Sequence, residues 1–205
     1  MDLQSDLSSF VEDLISEADI IPAARKEKLQ QLASYIEAKR TAERIALNFI
    51  CTHNSRRSHL AQIWAAVAAY YYGVSKVKTF SGGTEATAFN PRAVAAMNRA
   101  GFRIAGGEGD NPIYSVSFAD DAESLVCFSK VYDHPRNPRS KFAAIMTCSD
   151  ADENCPFIPG VELRLALTYE DPKAADGTPE EAARYDERVR QIGREIFYAF
   201  SLVHE

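Results

Sequence analysis

The run Ile45-Ala46-Leu47-Asn48-Phe49-Ile50 ends on a cysteine, and that ending constrains the fold more than any other feature of the chain. A nearly unbroken apolar run without glycine or proline reads as a strand buried on both faces, as strands of parallel sheets are. Cys51-Thr52-His53-Asn54-Ser55-Arg56-Arg57-Ser58 follows, and then Leu60, Ile63, Trp64, Val67 and Tyr70 at helical spacing. Strand, tight loop and helix in that order put the loop at the carboxyl end of a strand, where α/β folds carry their sites. Within the loop, five residues separate Cys51 from Arg57. Backbone N–H groups turned inward and the N-terminus of the next helix would converge on one spot, a cradle for a tetrahedral oxyanion. Those donors and the arginine favour a thiolate, and Arg57 can fork two hydrogen bonds onto the bound anion. Asn54 is expected to hold the loop through its backbone and Ser58 to donate to the thiolate. His53 and Arg56 are expected to face solvent.

The rest of the chain alternates. Leu3, Leu7, Phe10, Val11 and Leu14 mark one amphipathic helix, and Pro22 opens another with Leu29, Leu32, Tyr35 and Ile36 on its stripe. Residues 1–42 therefore read as a two-helix extension and 43–205 as a catalytic α/β domain. Further strands are expected at Val74–Phe80, Ile113–Phe118, Leu125–Ser129, Phe142–Thr147 and Glu162–Leu167. Asn90-Pro91 caps a helix over Arg92–Ala100. Thr178-Pro179-Glu180-Glu181 reads as a capping box for a last helix reaching about Val203. Strands separated by helices imply a parallel sheet covered on both faces.

Composition narrows the function. A net charge of −6 gives no basic surface for nucleic acid, and no apolar run approaches membrane-spanning length. The opening Met1-Asp2-Leu3-Gln4-Ser5-Asp6 has neither a basic segment nor an apolar stretch, so a cytoplasmic location with reduced thiols is the expectation. Four cysteines (Cys51, Cys127, Cys148 and Cys155) are then buried, catalytic or redox-active rather than a disulfide framework. Cys148-Ser149-Asp150-Ala151-Asp152-Glu153-Asn154-Cys155-Pro156 follows a buried strand. Its two thiols are too far apart for a zinc knuckle, and His53, His59, His134 and His204 do not complete one. Its small polar residues suit a segment that rearranges. Cys127 reads as a buried strand residue. Asp171 of Glu170-Asp171-Pro172 is the expected proton donor, aimed by the proline, with Asp176, Glu170 and Asp133 as weaker candidates.

Together these blocks, with Ser81-Gly82-Gly83-Thr84-Glu85 and Asn90-Pro91, resemble the low-molecular-weight protein tyrosine phosphatase superfamily. Within it the chain is most similar to the thioredoxin-linked arsenate reductases. The resemblance implies that Cys51 attacks arsenate held by Arg57 and the amides of Thr52, His53, Asn54, Ser55, Arg56 and Ser58. Asp171 would protonate the leaving hydroxide. Cys148 would then attack the Cys51 adduct, and Cys155 would carry the resulting disulfide to thioredoxin, with no metal or organic cofactor consumed. The same loop serves a phosphatase on a phosphomonoester, and a non-catalytic redox sensor is a third reading. His53 stands where the family commonly has glycine. Gln62 stands where related reductases have an acid that helps hold a structural potassium ion. The stretch 111–139 is longer than in compact reductases, and its end, Tyr132 to Arg139, reads as a surface connection or a lid.

Overall fold

The computed structural model describes residues 2–154 and 157–203. Strand β1 (Ile45–Cys51) is buried along its whole length, as its apolar run demands. It lies between β2 (Val77–Gly83) and β6 (Phe142–Met146), with β7 (Val161–Ala166) outside β6, in a four-stranded sheet of order β2-β1-β6-β7. All three pairings are parallel, so every strand delivers its carboxyl end to the same edge. The helices are α1 (Ser5–Ser16), α2 (Ala23–Ala38), α3 (Arg57–Tyr71), α4 (Pro91–Arg99), α5 (Ser149–Asn154) and α6 (Glu181–Ser201). The expected α/β class, a parallel sheet flanked by helices, holds.

The two faces of the sheet are unequal. Ile45, Leu47 and Phe49 join Ala143, Ile145 and Leu165 in a large core that also takes Leu7, Val11, Leu14, Leu29, Leu32 and Ile36 from α1 and α2. The alternate residues Ala46, Ile50, Ala144 and Met146 form a small second cluster with Cys51, Cys148, Ala151 and Ile158. Period-two alternation thus sends successive β1 side chains into different cores. One face carries the heavy helical layer. The other is closed by the short α5 and by coil, where the sequence suggested helices on both.

Three local readings are corrected. The strand expected at Val74–Phe80 is displaced, because Lys76 takes a left-handed conformation (φ 66°) and the chain extends only from Val77. Ser81-Gly82-Gly83 is then strand rather than turn. A Cβ on Gly82 would lie 2.3 Å from the Tyr132 Cα, so glycine is required there by close approach. The capping box does not form: Thr178 Oγ1 donates to the Ala175 carbonyl, while the Glu181 carboxylate accepts from the Gly177 N–H. Asn90 does cap α4, accepting from the Arg92 N–H at 2.9 Å. Finally, the region after α4 forms its own antiparallel sheet of β3 (Arg103–Gly106), β4 (Tyr114–Ser117) and β5 (Leu125–Cys127), in that order. Strand β3 has no sequence signal, being four residues long and largely exposed at an edge.

Candidate active site

The Cys51 loop is held from outside by its carbonyls. The Thr84 N–H donates to the Cys51 carbonyl, the Glu85 N–H to that of Thr52 and the Asn90 N–H to that of Ser55. Ser129 Oγ and Thr87 Oγ1 both donate to the carbonyl of His53. With those oxygens occupied, the loop's own N–H groups are left as its free donors, at the N-terminus of α3. Asn54 takes φ 44°, a left-handed conformation that asparagine tolerates better than most residues.

Around the sulfur the proton positions follow from one another. Asn54 Oδ1 accepts from the Lys130 N–H at 2.9 Å, which fixes its amide and leaves Nδ2 to donate to Ser58 Oγ, also at 2.9 Å. The Ser58 hydroxyl, already an acceptor, therefore points its own proton at Cys51 Sγ, 3.0 Å away. Asn54 thus braces the loop through a distant segment rather than through the loop's own backbone. Arg57 Nη2 donates to Asp171 Oδ2 at 2.8 Å and Nη1 to the Tyr169 carbonyl at 2.9 Å, while Nε is buried without a partner. Asp171 is fixed as the cap of the short turn Pro172–Ala175, its Oδ1 accepting from the Lys173 N–H.

The other candidate carboxylates have different partners or face solvent. Glu170 is exposed, 3.7 Å from Arg188; Asp176 accepts from Tyr185 Oη; and Asp133 is on the surface. His53 faces solvent as expected and stands 3.7 Å from Glu85. Arg56 does not. Its side chain is only 11% exposed, donating to Tyr185 Oη at 2.8 Å and standing 3.8 Å from Asp171. The reason is tertiary: α6 presents a hydroxyl and the turn before it presents carboxylates, all far away in sequence.

Cys148 follows β6, beside the end of β1, where the Thr147 N–H donates to the Ile50 carbonyl. It is 1% exposed, its Sγ lies 3.4 Å from Thr52 Oγ1, and the Ala151 N–H donates to it at 3.4 Å. Thr52 Oγ1 also donates to Asp150 Oδ2 at 2.7 Å. A second thiol is therefore packed against the oxyanion loop. Cys155, the remaining cysteine of that block, lies outside the described residues. Cys127 is fully buried on β5, and burial pushes its thiol up to about 12.

Several residues that build the site escape sequence reading. Ser129, Lys130 and Asn137 all come from the long stretch 111–139. Asn137 Nδ2 donates to the Ser81 carbonyl at 2.9 Å, so the Tyr132-to-Arg139 segment is anchored rather than a free surface connection. His59 stacks on Phe89 (ring centroids 4.2 Å) beneath the loop, and burial holds its pKa well below the ordinary value. Lys130 is 5% exposed, its ammonium donating to the Phe128 carbonyl, and burial lowers it to about 8. It lines a cavity of about 260 Å³ with Gln62, Thr79, Arg136 and Asn137. An ammonium and a guanidinium line the cavity beside the unpartnered oxygens of Gln62, Thr79 and Asn137, and Gln62 supplies no carboxylate toward a potassium ion. Among the described residues, no cluster of three His, Cys, Asp or Glu side chains could hold a metal.

An arsenate reductase from Bacillus subtilis (strain 168) is 32% identical over 149 residues, covering 72% of this chain and 89% of its own length. The chain belongs to the arsenate reductase family. Arsenate reductases from Bacillus licheniformis and Shouchella clausii match over the same shares at 32% and 30% identity. No family model matches the chain. Among solved structures, a YwlE mutant from Bacillus subtilis has a TM-score of 0.51 at 14% identity, covering 77% of this chain and 97% of that one. A low-molecular-weight phosphotyrosine phosphatase from Vibrio cholerae has a TM-score of 0.50 at 13% identity, covering 75% and 93%. These two likenesses concern the fold. Arsenate reductases are enzymes, and this chain is one. No helix of the described residues is long and apolar enough to cross a membrane.

Proposed function

We propose that this enzyme reduces arsenate by a three-thiol relay. Cys51 thiolate, with Ser58 donating to it, attacks arsenic; a sulfur–arsenic bond forms and hydroxide leaves as water with a proton from Asp171. Arg57 binds the oxyanion through its unpartnered Nε and through Nη2, which the anion takes from Asp171 as it enters. The Cys148 thiolate then attacks Cys51 Sγ. A disulfide forms, the sulfur–arsenic electron pair stays on arsenic, and arsenite is released. Cys155 attacks Cys148, frees Cys51 and presents the new disulfide to thioredoxin, the reductant to expect in a reducing cytoplasm. Every residue used lies within 43–205, and 1–42 is a helical extension bracing that unit.

The observation that carries this reading is the position of Cys148, packed with Cys51 in one cluster and 3.4 Å from the loop's Thr52. Hydrolysis of a phosphomonoester needs Cys51, Arg57 and Asp171, and has no use for a second thiol there. The test runs two assays on one preparation, thioredoxin-dependent arsenate turnover and hydrolysis of an aryl phosphate. Cys148→Ser is expected to abolish the first and keep the second, and Cys51→Ser to abolish both. Aryl phosphate hydrolysis by the unmodified enzyme without arsenate turnover would make it a phosphatase instead.

A further inference from the structure

Two consecutive arginines flank one carboxylate. Arg57 Nη2 donates to Asp171 Oδ2 at 2.8 Å, while Arg56 Nε stands 3.8 Å from the other oxygen, Oδ1. The longer distance is a contact between charges rather than a hydrogen bond, because Arg56 Nε gives its proton to Tyr185 Oη at 2.8 Å. Tyr185 is buried and donates in turn to Asp176 Oδ1 at 2.8 Å, and Asp176 Oδ2 stands 3.7 Å from Arg56 Nη2. Arg56 is thus tied to α6 and to the turn before it. Arg57 is differently placed: an incoming oxyanion draws its Nη2 off Asp171, leaving the carboxyl the Lys173 N–H, 3.0 Å from Oδ1, and Arg56.

A protonated carboxyl has one donating and one accepting oxygen. Oδ1 accepts from the Lys173 N–H and faces the Arg56 cation, so it is the accepting one. The proton then belongs on Oδ2, the oxygen that Arg57 vacates. We infer that the Arg56 side chain is a positioning group that keeps the Asp171 proton on Oδ2, aimed at the leaving oxygen, once the oxyanion has taken Arg57. This rests on Asp171 as the proton donor of the reading above, and Arg56 acts through it. With an aryl phosphate the step balances as follows. Cys51 Sγ bonds to phosphorus, the bond from phosphorus to the aryl oxygen breaks with its electron pair on that oxygen, and the Oδ2 proton moves there, giving a phenol and a carboxylate.

The measurement is kcat/KM of the full chain on 4-nitrophenyl phosphate, whose leaving group needs little protonation, and on phenyl phosphate, whose leaving group needs much. A positioned acid contributes about 10²–10⁴-fold, so Asp171→Asn should lose at least about tenfold more on phenyl phosphate than on the nitrophenyl ester. Arg56→Met should show the same bias, about tenfold. In the Asp171→Asn background Arg56→Met should add nothing to the bias, because the two act as one unit. Tyr185→Phe removes the hydroxyl that holds Arg56 and should show a smaller bias of the same sign; it carries the test if Arg56→Met does not fold. Equal losses on both esters for Arg56→Met and Tyr185→Phe, with the Asp171→Asn bias present, would overturn the role of Arg56 and leave the acid standing. An Arg56→Met bias that persists undiminished in the Asp171→Asn background would overturn it as well. Equal losses for Asp171→Asn would remove the acid and the inference together. No arsenate enters this measurement, so the reductase reading stands or falls apart from it.

Discussion

Ser58 bears on what a hydrogen bond contributes at the sulfur. It is fully buried and its proton has no destination other than Cys51 Sγ, so Ser58→Ala removes a donor to the thiolate and also leaves the buried Asn54 Nδ2 without its acceptor. A hydrogen bond to a charged group contributes about 1.5–3 kcal/mol, so kcat/KM for an aryl phosphate should fall roughly tenfold to a hundredfold at neutral pH. An unchanged kcat/KM would count against the assignment. Lys130 makes a stability prediction of definite sign. Burial lowers its ammonium from 10.5 to about 8. Between those two values the unfolded chain holds a proton that the folded chain has released, so stability rises with pH across the window, by up to about 3 kcal/mol. Below about pH 8 both states carry the proton and the penalty is fully present. Urea unfolding of Lys130→Met against the parent should show the parent gaining relative stability from pH 8 towards 10.5; a pH-independent difference would refute it. Ser58 was legible because its partner is seven residues away and the loop fixes the distance. Lys130 and Arg56 were not, since each owes its burial to partners brought by other elements.

At the scale of elements, the loop depends on the end of β2. A Cβ on Gly83 would meet the Glu85 carbonyl at 2.2 Å, the Thr52 carbonyl at 2.6 Å and the Asn54 nitrogen at 2.7 Å. All three are backbone atoms, and two belong to the oxyanion loop, so relief must come from moving that loop. Gly83→Ala should cost about 1–3 kcal/mol in urea unfolding. It should also lower kcat/KM by more than that stability loss explains under conditions where the protein stays folded; normal kcat/KM would show that the loop does not yield. The glycines were visible in the sequence as a turn, the wrong element for the right residues, because glycine marks close approach as readily as a bend. The stretch 111–139 was opaque for a different reason. Its work is done by polar side chains bonding backbone, as Asn111 bonds Ser129 on both its amide and carbonyl and Ser129 bonds the loop. Such contacts leave no apolar period to read, whereas α3 and α6 announced themselves by theirs.

At the scale of the molecule, the N-terminal helices share one core with the sheet. Phe10 of α1 stacks on Trp64 of α3 at 5.9 Å, and a Cβ on Gly193 of α6 would lie 2.7 Å from a Leu14 methyl and 2.8 Å from the Trp64 ring. The amphipathic stripes of α1 and α2 made this packing readable, but the polar link between α2 and the site was not. Arg25 of α2 donates to Glu195 at 2.7 Å, with its guanidinium 4.6 Å from the Tyr169 ring centroid. The Tyr169 carbonyl in turn receives Arg57, and Asp171 lies two residues on. Glu195 is 2% exposed; Gln191 also donates to it at 3.1 Å, and the Tyr169 hydroxyl lies against it. Arg25→Met therefore strands a buried carboxylate, at a cost of about 3–5 kcal/mol in urea unfolding. Removing both charges, in Arg25→Met/Glu195→Leu, should recover most of that loss, because the pair's attraction offsets little more than its desolvation. The double variant should still lower kcat/KM, since neither change restores what orients Tyr169 beside Arg57. Recovery of stability together with full activity would show that α2 supports the fold without reaching the site, whereas recovery of stability alone would place the ion pair in the line from the N-terminal helices to the arginine.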